Sequence, residues 1–496
     1  MTVQPPTSRR RFLQALGVGS LGTLAGCTQF DRSTAESDGS AVTPRSAPEG
    51  PADATATLRA APGTVEPGSD TPSETWLYNG TFPGPELRLS EGDVFEAAVT
   101  NDLPEATTIH WHGIPVPNGM DGVPDVTQEP VASTESFTYK FRAEPAGTYF
   151  FHSHVGLQLD RGLLAPLVIE ESDPHVAYDR EYTVVVDDYL EGTPEPLSGN
   201  ATDGNRGRGG MGGGGMGGGG MGGGGMNDGD RMSGGMMTDR RPPYAGLLIN
   251  GRLPTDPRTF EVQEGERVRF RFINASAATL FRVRVAGHPL TVTHADGRPV
   301  DPVTVDSFAF GSGERYDAII DADEPGTWEV RAAAVDGDES PARAILAYEG
   351  ASGASPTAPS GDGRQLSYGD LVAVSPLDDV DGNPDRTFDL TLSAGGRSNE
   401  WVIDGQAYPD ADPLEVREGE HVRVRMTNRS PVVHPMHLHG HFFQVDEAVK
   451  DTVVVPGHRG QVTFDFVADN PGDWLFHCHN LYHLEAGMAR VIQYFE

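Results

Sequence analysis

Short stretches in which apolar and polar residues alternate recur along the chain, and Gly, Pro and Asn separate them. Val268-Arg-Phe-Arg-Phe272 and Val422-Arg-Val-Arg-Met426 are clear examples. Alternation with a period of two places the apolar side chains on one face of a β-strand. The pattern therefore predicts an all-β protein built from sandwiches, with no long helix.

The chain repeats a unit of about a hundred residues three times. Each copy has an Asn-Gly or Asp-Gly pair, a Glu-Gly pair followed at a constant distance by an Asn, and a Gly-x-aromatic strand entry. The landmarks are Asn79, Glu91, Asn101 and Gly147 in the first copy, Asn250, Glu264, Asn274 and Gly326 in the second, and Asp404, Glu418, Asn428 and Gly472 in the third. The repeat predicts three Greek-key sandwich domains at 57–190, 244–350 and 386–496, joined by a Gly/Met-rich insert at 191–243 and a linker at 351–385.

Acidic residues far outnumber basic ones. The 72 Asp and Glu against 37 Lys and Arg give a net charge of −35, and Lys140 and Lys450 are the only lysines. A surface of this sign repels nucleic acid and anionic membranes, so neither is expected as a partner. Two interpretations stay open: a solvated acidic shell, which resembles that of proteins from extreme halophiles, and a surface that attracts metal cations or cationic substrates.

Residues 1–27 have the pattern of an export signal. Arg9-Arg10-Arg11 precede a short apolar run that ends in Leu24-Ala25-Gly26-Cys27, and the two motifs resemble a twin-arginine signal and a lipobox. The alternatives are an ordinary basic leader and a chance Cys27 in a removed segment. We expect an exported protein at the cell surface or outside the cell, with a disordered tether at 28–56 and membrane contact only through a lipid anchor on Cys27.

The stretch from His477 to Met488 concentrates metal-binding side chains. Two His, one Cys and a weakly bound axial Met are the ligands of a blue-copper site. The chain offers this set as His434, Cys478, His483 and Met488. Cys478 is flanked by His477 and His479, which point to the opposite face of an extended strand and are available to a second metal group.

Three further His-x-His pairs are His110 and His112, His152 and His154, and His437 and His439. In the repeat register, all the pairs occupy equivalent positions in the first and third domains, so eight imidazoles can close a metal cluster at the interface of these domains. The counterparts in the middle domain are Val283, Val285, Arg331 and Ala333, which predict a spacer domain. The first-domain counterparts of the blue-copper ligands are Thr107, Ser153, Gln158 and Leu163, which exclude a second such site.

These four histidine signatures, with the spaced Cys and Met, resemble those of the multicopper oxidase family from Thr57 to Glu496. The resemblance implies three cupredoxin-like domains, four copper ions and dioxygen as electron acceptor. It implies a type 1 copper at His434, Cys478, His483 and Met488, a type 2 copper at His110 and His437, and two type 3 coppers at His112, His152 and His479 and at His154, His439 and His477.

Cys478, which joins the two ligand groups, is a catalytic candidate together with Asp121 and Asp125, the acids expected to supply protons. Turn capping is the alternative role for both aspartates. Six more histidines are predicted to be structural: His175, His288, His294, His421, His441 and His458.

The family resemblance implies a laccase-like enzyme that oxidises phenols or aromatic amines and reduces dioxygen to water. An axial Met488 is expected to lower the type 1 potential, which disfavours high-potential substrates. The insert carries Met211, Met216, Met221 and Met226 between runs of Gly, so it is interpreted either as a Cu(I)-collecting segment or as a flexible linker. A cuprous oxidase, with Cu(I) as reductant, and a copper-sequestering surface protein are therefore the alternative functions.

Overall fold

The computed structural model describes residues 42–68, 72–196, 241–351, 355–361, 363–395 and 400–496. The export signal, Cys27 and the Met-rich part of the insert lie outside these ranges, so what was predicted for them stays a prediction. Within the described ranges, no helix is long and apolar enough to cross a membrane.

The described residues form β-strands almost throughout. Strands β1–β8 of the first domain are Ala54–Val65, Ser73–Tyr78, Leu87–Ser90, Val94–Asn101, His110–His112, Ser136–Arg142, Gly147–His152 and Leu164–Glu170. Strands β9–β19 of the second domain are Arg180–Tyr189, Gly246–Ile249, Thr259–Val262, Arg267–Asn274, Phe281–Val285, Leu290–Ala295, Arg298–Val305, Phe308–Phe310, Arg315–Asp321, Thr327–Ala334 and Ala342–Tyr348. Strands β20–β30 of the third domain are Arg386–Ala394, Trp401–Ile403, Leu414–Val416, His421–Asn428, His434–Leu438, Phe443–Val445, Ala448–Lys450, Thr452–Val455, Gln461–Val467, Asp473–Cys478 and Ala489–Tyr494. Helix α1 is Leu481–Glu485, and single 3₁₀ turns lie at Asn118–Met120 and Tyr368–Asp370.

The three domains share one strand order. Their first sheets contain β2-β1-β4-β6, β10-β9-β12-β17 and β21-β20-β23-β28, and their second sheets contain β3-β8-β7-β5, β11-β19-β18-β13 and β22-β30-β29-β24. The second domain extends its sheets with β14, β15 and β16, and the third with β25, β26 and β27. Six sheets arranged as three sandwiches confirm the all-β architecture predicted from the sequence.

Equivalent side-chain hydrogen bonds hold the same turns in all three domains. The first residue of each Asn-Gly or Asp-Gly pair has a positive φ, and its side-chain oxygen accepts a backbone N–H of the adjacent strand at 2.7 Å. The acceptors and donors are Asn79 and Arg59, Asn250 and Val185, and Asp404 and Thr391. The aromatic residue of each Gly-x-aromatic entry donates to the carbonyl four residues earlier, from Tyr149, Trp328 and Trp474. The repeat therefore preserves individual contacts as well as strand order.

Strand β9 corrects the domain boundary expected at residue 190. It pairs in parallel with β12 and antiparallel with β10, so it belongs to the second domain. The first sandwich ends with β8 at Glu170.

Residues 42–53 correct the expectation of a disordered tether that reaches residue 56. Val42 packs against the core shared by the second and third domains, and Arg45 donates to the carbonyl of Asp469. Asp53 exchanges two hydrogen bonds with Val94 at 2.8 and 2.9 Å. This part of the chain is therefore fixed to the third domain before it enters the first.

Candidate metal centre

Eight imidazoles meet between the first and third domains. His110 pairs with His152 across β5 and β7, and His437 pairs with His477 across β24 and β29. Rings from the two domains stack with centroids 3.8 and 3.9 Å apart: His112 on His437 and His110 on His439. Ring nitrogens lie within 4.8 Å of one another in three groups: His110, His112 and His437; His112, His152 and His479; His154, His439 and His477.

The inward ring nitrogens of this histidine cluster fit metal ions. Six of the rings have a buried nitrogen without a hydrogen-bond partner in the described structure: Nε2 of His110, His152, His154 and His437, Nδ1 of His112, and both nitrogens of His479. In the remaining two rings, His439 Nε2 lies 2.9 Å from His477 Nε2. A buried unpaired nitrogen is costly unless a ligand satisfies it, so converging unpaired nitrogens suit a metal.

A second ligand group surrounds Cys478. Its Sγ lies 3.4 Å from His483 Nδ1 and 3.6 Å from His434 Nδ1. Met488 is fully buried beside them, donating its N–H to the His483 carbonyl and accepting the N–H of Cys478. Burial raises the pKa of the Cys478 thiol. Two His, one Cys and a neighbouring Met form the donor set of a blue-copper site.

A capped turn brings the ligands of this second group together. Strand β29 ends at Cys478, and the side chain of Asn480 caps α1 by accepting the N–H of His483 at 3.3 Å. On the facing strand, His434 Nε2 binds the Ser430 hydroxyl at 2.8 Å. The ring therefore turns Nδ1 toward Cys478.

The two aspartates predicted beside the cluster differ in position. Asp121 is buried, and its carboxylate lies 3.0 Å from His439 Nδ1 and 3.1 Å from His110 Nδ1. It holds two ligand rings by their outer nitrogens, the usual arrangement behind a metal-binding histidine. Asp125 is exposed in a turn with φ +62° and joins none of the ligand groups of the described residues.

Asp451 is a further acid at the cluster, and sequence reasoning missed it. Its Oδ1 lies 3.3 Å from His112 Nε2 and 3.5 Å from His437 Nδ1. Arg315 of the second domain donates to both carboxylate oxygens at 2.7 Å. Burial alone would raise the pKa of Asp451, but Arg315 and His437 together hold that pKa well below its usual range. Its place after Lys450 matches no spacing rule, so the sequence carried no signal for it.

Burial lowers the pKa of the cluster imidazoles, and neighbouring imidazoles lower it further. The affected rings are His112, His152, His154, His437, His439, His477 and His479. The neutral ring is the form that binds a metal, so protons compete little with a metal ion for these nitrogens.

A one-residue insertion shifts the register of the second domain. The side-chain amides of Asn101 and Asn428 donate to the carbonyl four positions on, whereas that of Asn274 donates to Thr279, five positions on. The counterparts of His110 and His112 are therefore Arg284 and Ala286, which corrects Val283 and Val285. The second domain still lacks a His pair at these positions.

The second domain nevertheless touches the cluster, which corrects its interpretation as a spacer. Gly313 has φ +91°, and a Cβ there would lie 2.9 Å from His112 Cε1 and 3.0 Å from His479 Cδ2. Only a glycine lets this loop approach the rings so closely.

The first domain fills its counterpart of the Cys478 group with polar contacts. The hydroxyls of Thr107 and Ser153 both donate to Gln158 Oε1 at 2.7 Å. These side chains satisfy each other, consistent with the prediction that this domain holds no second blue-copper site.

His441, next in sequence to a ligand pair, has a structural role. Its Nδ1 lies 3.0 Å from the His439 carbonyl and its Nε2 lies 2.6 Å from the Tyr494 hydroxyl. His288 repeats the arrangement with Tyr348 at 2.7 Å in the second domain. Both nitrogens of each ring are used, so neither residue is a free ligand.

Fold and site define a protein of three cupredoxin-like sandwiches with two adjoining sites for metal. Three family models, each described as multicopper oxidase, match residues 59–174, 226–351 and 381–495. The chain is 36% identical to the multicopper oxidase MmcO of Mycobacterium tuberculosis, over 98% of this chain and 96% of that protein. It is 28% identical to copper resistance protein A of Escherichia coli, over 86% of this chain and 90% of that protein. Among solved structures, the laccase of Botrytis aclada superposes with a TM-score of 0.71 at 26% identity, covering 89% of this chain and 88% of that one.

The chain belongs to the multicopper oxidase family. It is accordingly a copper-dependent oxidoreductase that uses dioxygen as acceptor, and the two ligand groups have side chains that could hold a metal ion.

Proposed function

We propose that the protein accepts electrons from a small aromatic reductant, a phenol or an aromatic amine, at the Cys478 group and delivers them to dioxygen at the histidine cluster. The observation that carries this proposal is the position of Cys478 between His477 and His479. Cys478 belongs to one ligand group while both flanking residues belong to the other, so two peptide units connect the groups covalently. Copper, when bound, supplies the one-electron chemistry that couples single-electron donors to dioxygen.

In this proposal the donor sets hold four copper ions. His434, Cys478, His483 and Met488 would hold a type 1 copper, His110 and His437 a type 2 copper, and His112, His152 and His479 with His154, His439 and His477 the type 3 pair. Reduction of dioxygen to water consumes protons, and the buried Asp121 carboxylate, against His110 and His439, is placed to hold one near the cluster.

The test is oxygen uptake by the copper-loaded protein in high salt, with a substituted phenol or Cu(I) as sole reductant. Faster uptake with the phenol supports the laccase-like assignment. Cys478→Ser is the control, because it removes the thiolate and should abolish uptake while leaving the histidine cluster able to bind copper. If the wild-type protein binds copper but consumes no oxygen with either reductant, it is a copper-sequestering protein instead.

Cuprous oxidase activity in copper tolerance is the second candidate. Two observations favour it: a relative named copper resistance protein A, and the thioethers of the insert, which are soft ligands suited to Cu(I). Replacement of Met211, Met216, Met221 and Met226 by Leu keeps the length of the insert and removes these ligands. Slower Cu(I) oxidation with unchanged phenol oxidation supports this candidate. If both oxidation rates fall equally, or if neither falls, the result counts against it.

The N-terminal signature supports export through the twin-arginine route and a lipid anchor on Cys27. Membrane fractionation of the wild-type protein and Cys27→Ser tests the anchor. Release of the variant alone supports it, and equal distribution of both proteins contradicts it.

A further inference from the structure

Strand β17 of the second domain begins with a buried arginine that lies beside the histidine cluster. Arg315 is fully buried, donates to the carbonyls of Thr148 and Gly313 at 3.1 and 3.0 Å, and binds both oxygens of Asp451 at 2.7 Å. The paired contact uses the planar fork of the guanidinium, which fixes the carboxylate in one orientation.

Contacts with Asp451 and Thr452 determine which nitrogens of the His112 and His437 rings point outward. The Thr452 hydroxyl donates its hydrogen to Asp451 Oδ1 at 2.8 Å, so the hydroxyl oxygen of Thr452 is left to accept a ring N–H. His112 Nε2 lies 3.2 Å from that hydroxyl and 3.3 Å from Asp451 Oδ1. His437 Nδ1 lies 2.9 Å from the Asp451 carbonyl. His112 therefore presents Nδ1 to the cluster, whereas His437 presents Nε2.

A second set of ion pairs anchors the segment around Asp451 to the second domain. Lys450, one of only two lysines, is fully buried, with Nζ 3.0 Å from Asp296 Oδ2 and 3.1 Å from Glu314 Oε1. Asp296 Oδ2 also accepts the N–H of Asp451 and Thr452 at 3.3 and 3.2 Å. Backbone and carboxylate of Asp451 are thus both held by the domain that has no ligand of its own in the cluster.

We infer that Arg315 is a positioning residue for the copper cluster: through Asp451 it sets the orientation and tautomer of His112 and His437, so the second domain takes part in assembling the centre. The inference rests on the proposed four-copper function. Residues that orient metal-binding histidines change metal affinity by about 10- to 100-fold when they are replaced.

The test measures copper content, copper affinity against a competing chelator, and the electron paramagnetic resonance of the type 2 copper. Arg315→Gln is expected to keep the blue absorption of the Cys478 group and to hold the cluster copper about 10- to 100-fold more weakly, with an altered type 2 spectrum. Arg315→Lys keeps the positive charge but not the planar fork of the guanidinium, so its copper affinity should lie between those of the wild-type protein and Arg315→Gln. Arg269→Gln is the matched control, because Arg269 is equally buried and binds Asp317 and Glu171, both at 2.6 Å, away from the ligand rings.

The outcomes separate this inference from the proposed function. Weaker copper binding at the cluster in Arg315→Gln, but not in Arg269→Gln, supports the inference. An unchanged copper affinity and type 2 spectrum in Arg315→Gln, or an equal loss of copper affinity in Arg269→Gln, overturns the inference while the proposed function stands. If Arg315→Gln does not fold because it leaves a lone buried carboxylate, Arg315→Gln with Asp451→Asn removes that charge, and normal cluster copper in the double variant overturns the inference. A wild-type protein that binds a single copper overturns both.

Discussion

At each histidine named in this paragraph, contacts on the outer side of the ring decide which nitrogen faces the centre of the cluster. His439 is held at Nδ1 by the Asp121 carboxylate and His437 at Nδ1 by the Asp451 carbonyl, so both turn Nε2 inward. His112 is held at Nε2 instead. The spacing of the histidines predicted these candidate ligands, but the nitrogen that each ring turns inward depends on residues from distant parts of the chain and was not predictable from the sequence.

The axial position allows a test on one residue. Met488→Leu keeps a buried apolar side chain of similar volume, so the fold should be retained. Loss of the weakly bound thioether is expected to raise the reduction potential of the type 1 copper. A redox titration followed by the blue absorption measures this change. A potential equal to or below that of the wild-type protein would show that Met488 is not an axial ligand.

Asp160 makes stability depend on pH near neutrality. Burial, assisted by Asp188, raises the pKa of Asp160 to about 7, and Tyr482 donates to its Oδ2. An unfolded Asp has a pKa of about 3.9, so between these values the folded protein keeps a proton that the unfolded chain releases. This contribution to stability is fully present below the unfolded pKa and is lost as the pH rises through about 7.

Asp160→Asn is neutral at every pH and should flatten the fall of the unfolding temperature that the wild-type protein shows between about pH 4 and about pH 7. Thermal unfolding followed across this pH range measures the effect. Asp125→Asn is the control, because Asp125 is exposed and Asn tolerates its φ of +62°. An Asp160→Asn profile parallel to that of the wild-type protein would rule out this role for Asp160.

At the scale of elements, the loop after β5 brings Asp121 to the cluster through a close backbone contact. Gly122 has φ +86°, and a Cβ there would lie 1.9 Å from the carbonyl oxygen of Ile109. The backbone would have to move away from β5, and the neighbouring Asp121 would move with it.

Gly122→Ala is therefore expected to lower stability by about 3 kcal/mol and to weaken copper binding at the cluster. Gly119→Ala is the matched control in the same loop, because no atom lies within 4 Å of its Cβ position. Denaturant unfolding and copper analysis of both variants give the comparison. Equal stability of the two variants would show that the loop can move without cost.

The three sandwiches and the equivalent positions of the His pairs could be predicted from the sequence because the repeat preserves its landmarks at constant spacing. The one-residue insertion after Asn274 escaped the count, since only hydrogen bonding shows where the extra residue lies. Strand β9 was assigned to the wrong domain for a similar reason: its partner β12 follows the long insert. Arg315 and Asp451 were missed because their significance comes from domain packing, which leaves no local pattern.

At the scale of the whole molecule, the surface keeps the acidic excess of the composition, because the buried ion pairs remove acidic and basic residues alike. The net charge is −35, and several of the 37 basic residues are buried in ion pairs, among them Arg269, Arg271, Arg315 and Lys450. Acidic side chains therefore face solvent with few cations between them. Mutual repulsion of this kind destabilises the compact state unless salt screens it.

The unfolding temperature is accordingly expected to rise by on the order of 10 °C between about 0.1 M and 1 M KCl. The rise should be steepest at low salt, because the Debye length falls from about 10 Å to about 3 Å over this range and changes little beyond it. KCl is preferable to sulfate, which strengthens apolar burial in any protein. A linear rise that continues through several molar salt would indicate such a general effect, and an unchanged unfolding temperature would contradict the halophilic interpretation of the acidic surface.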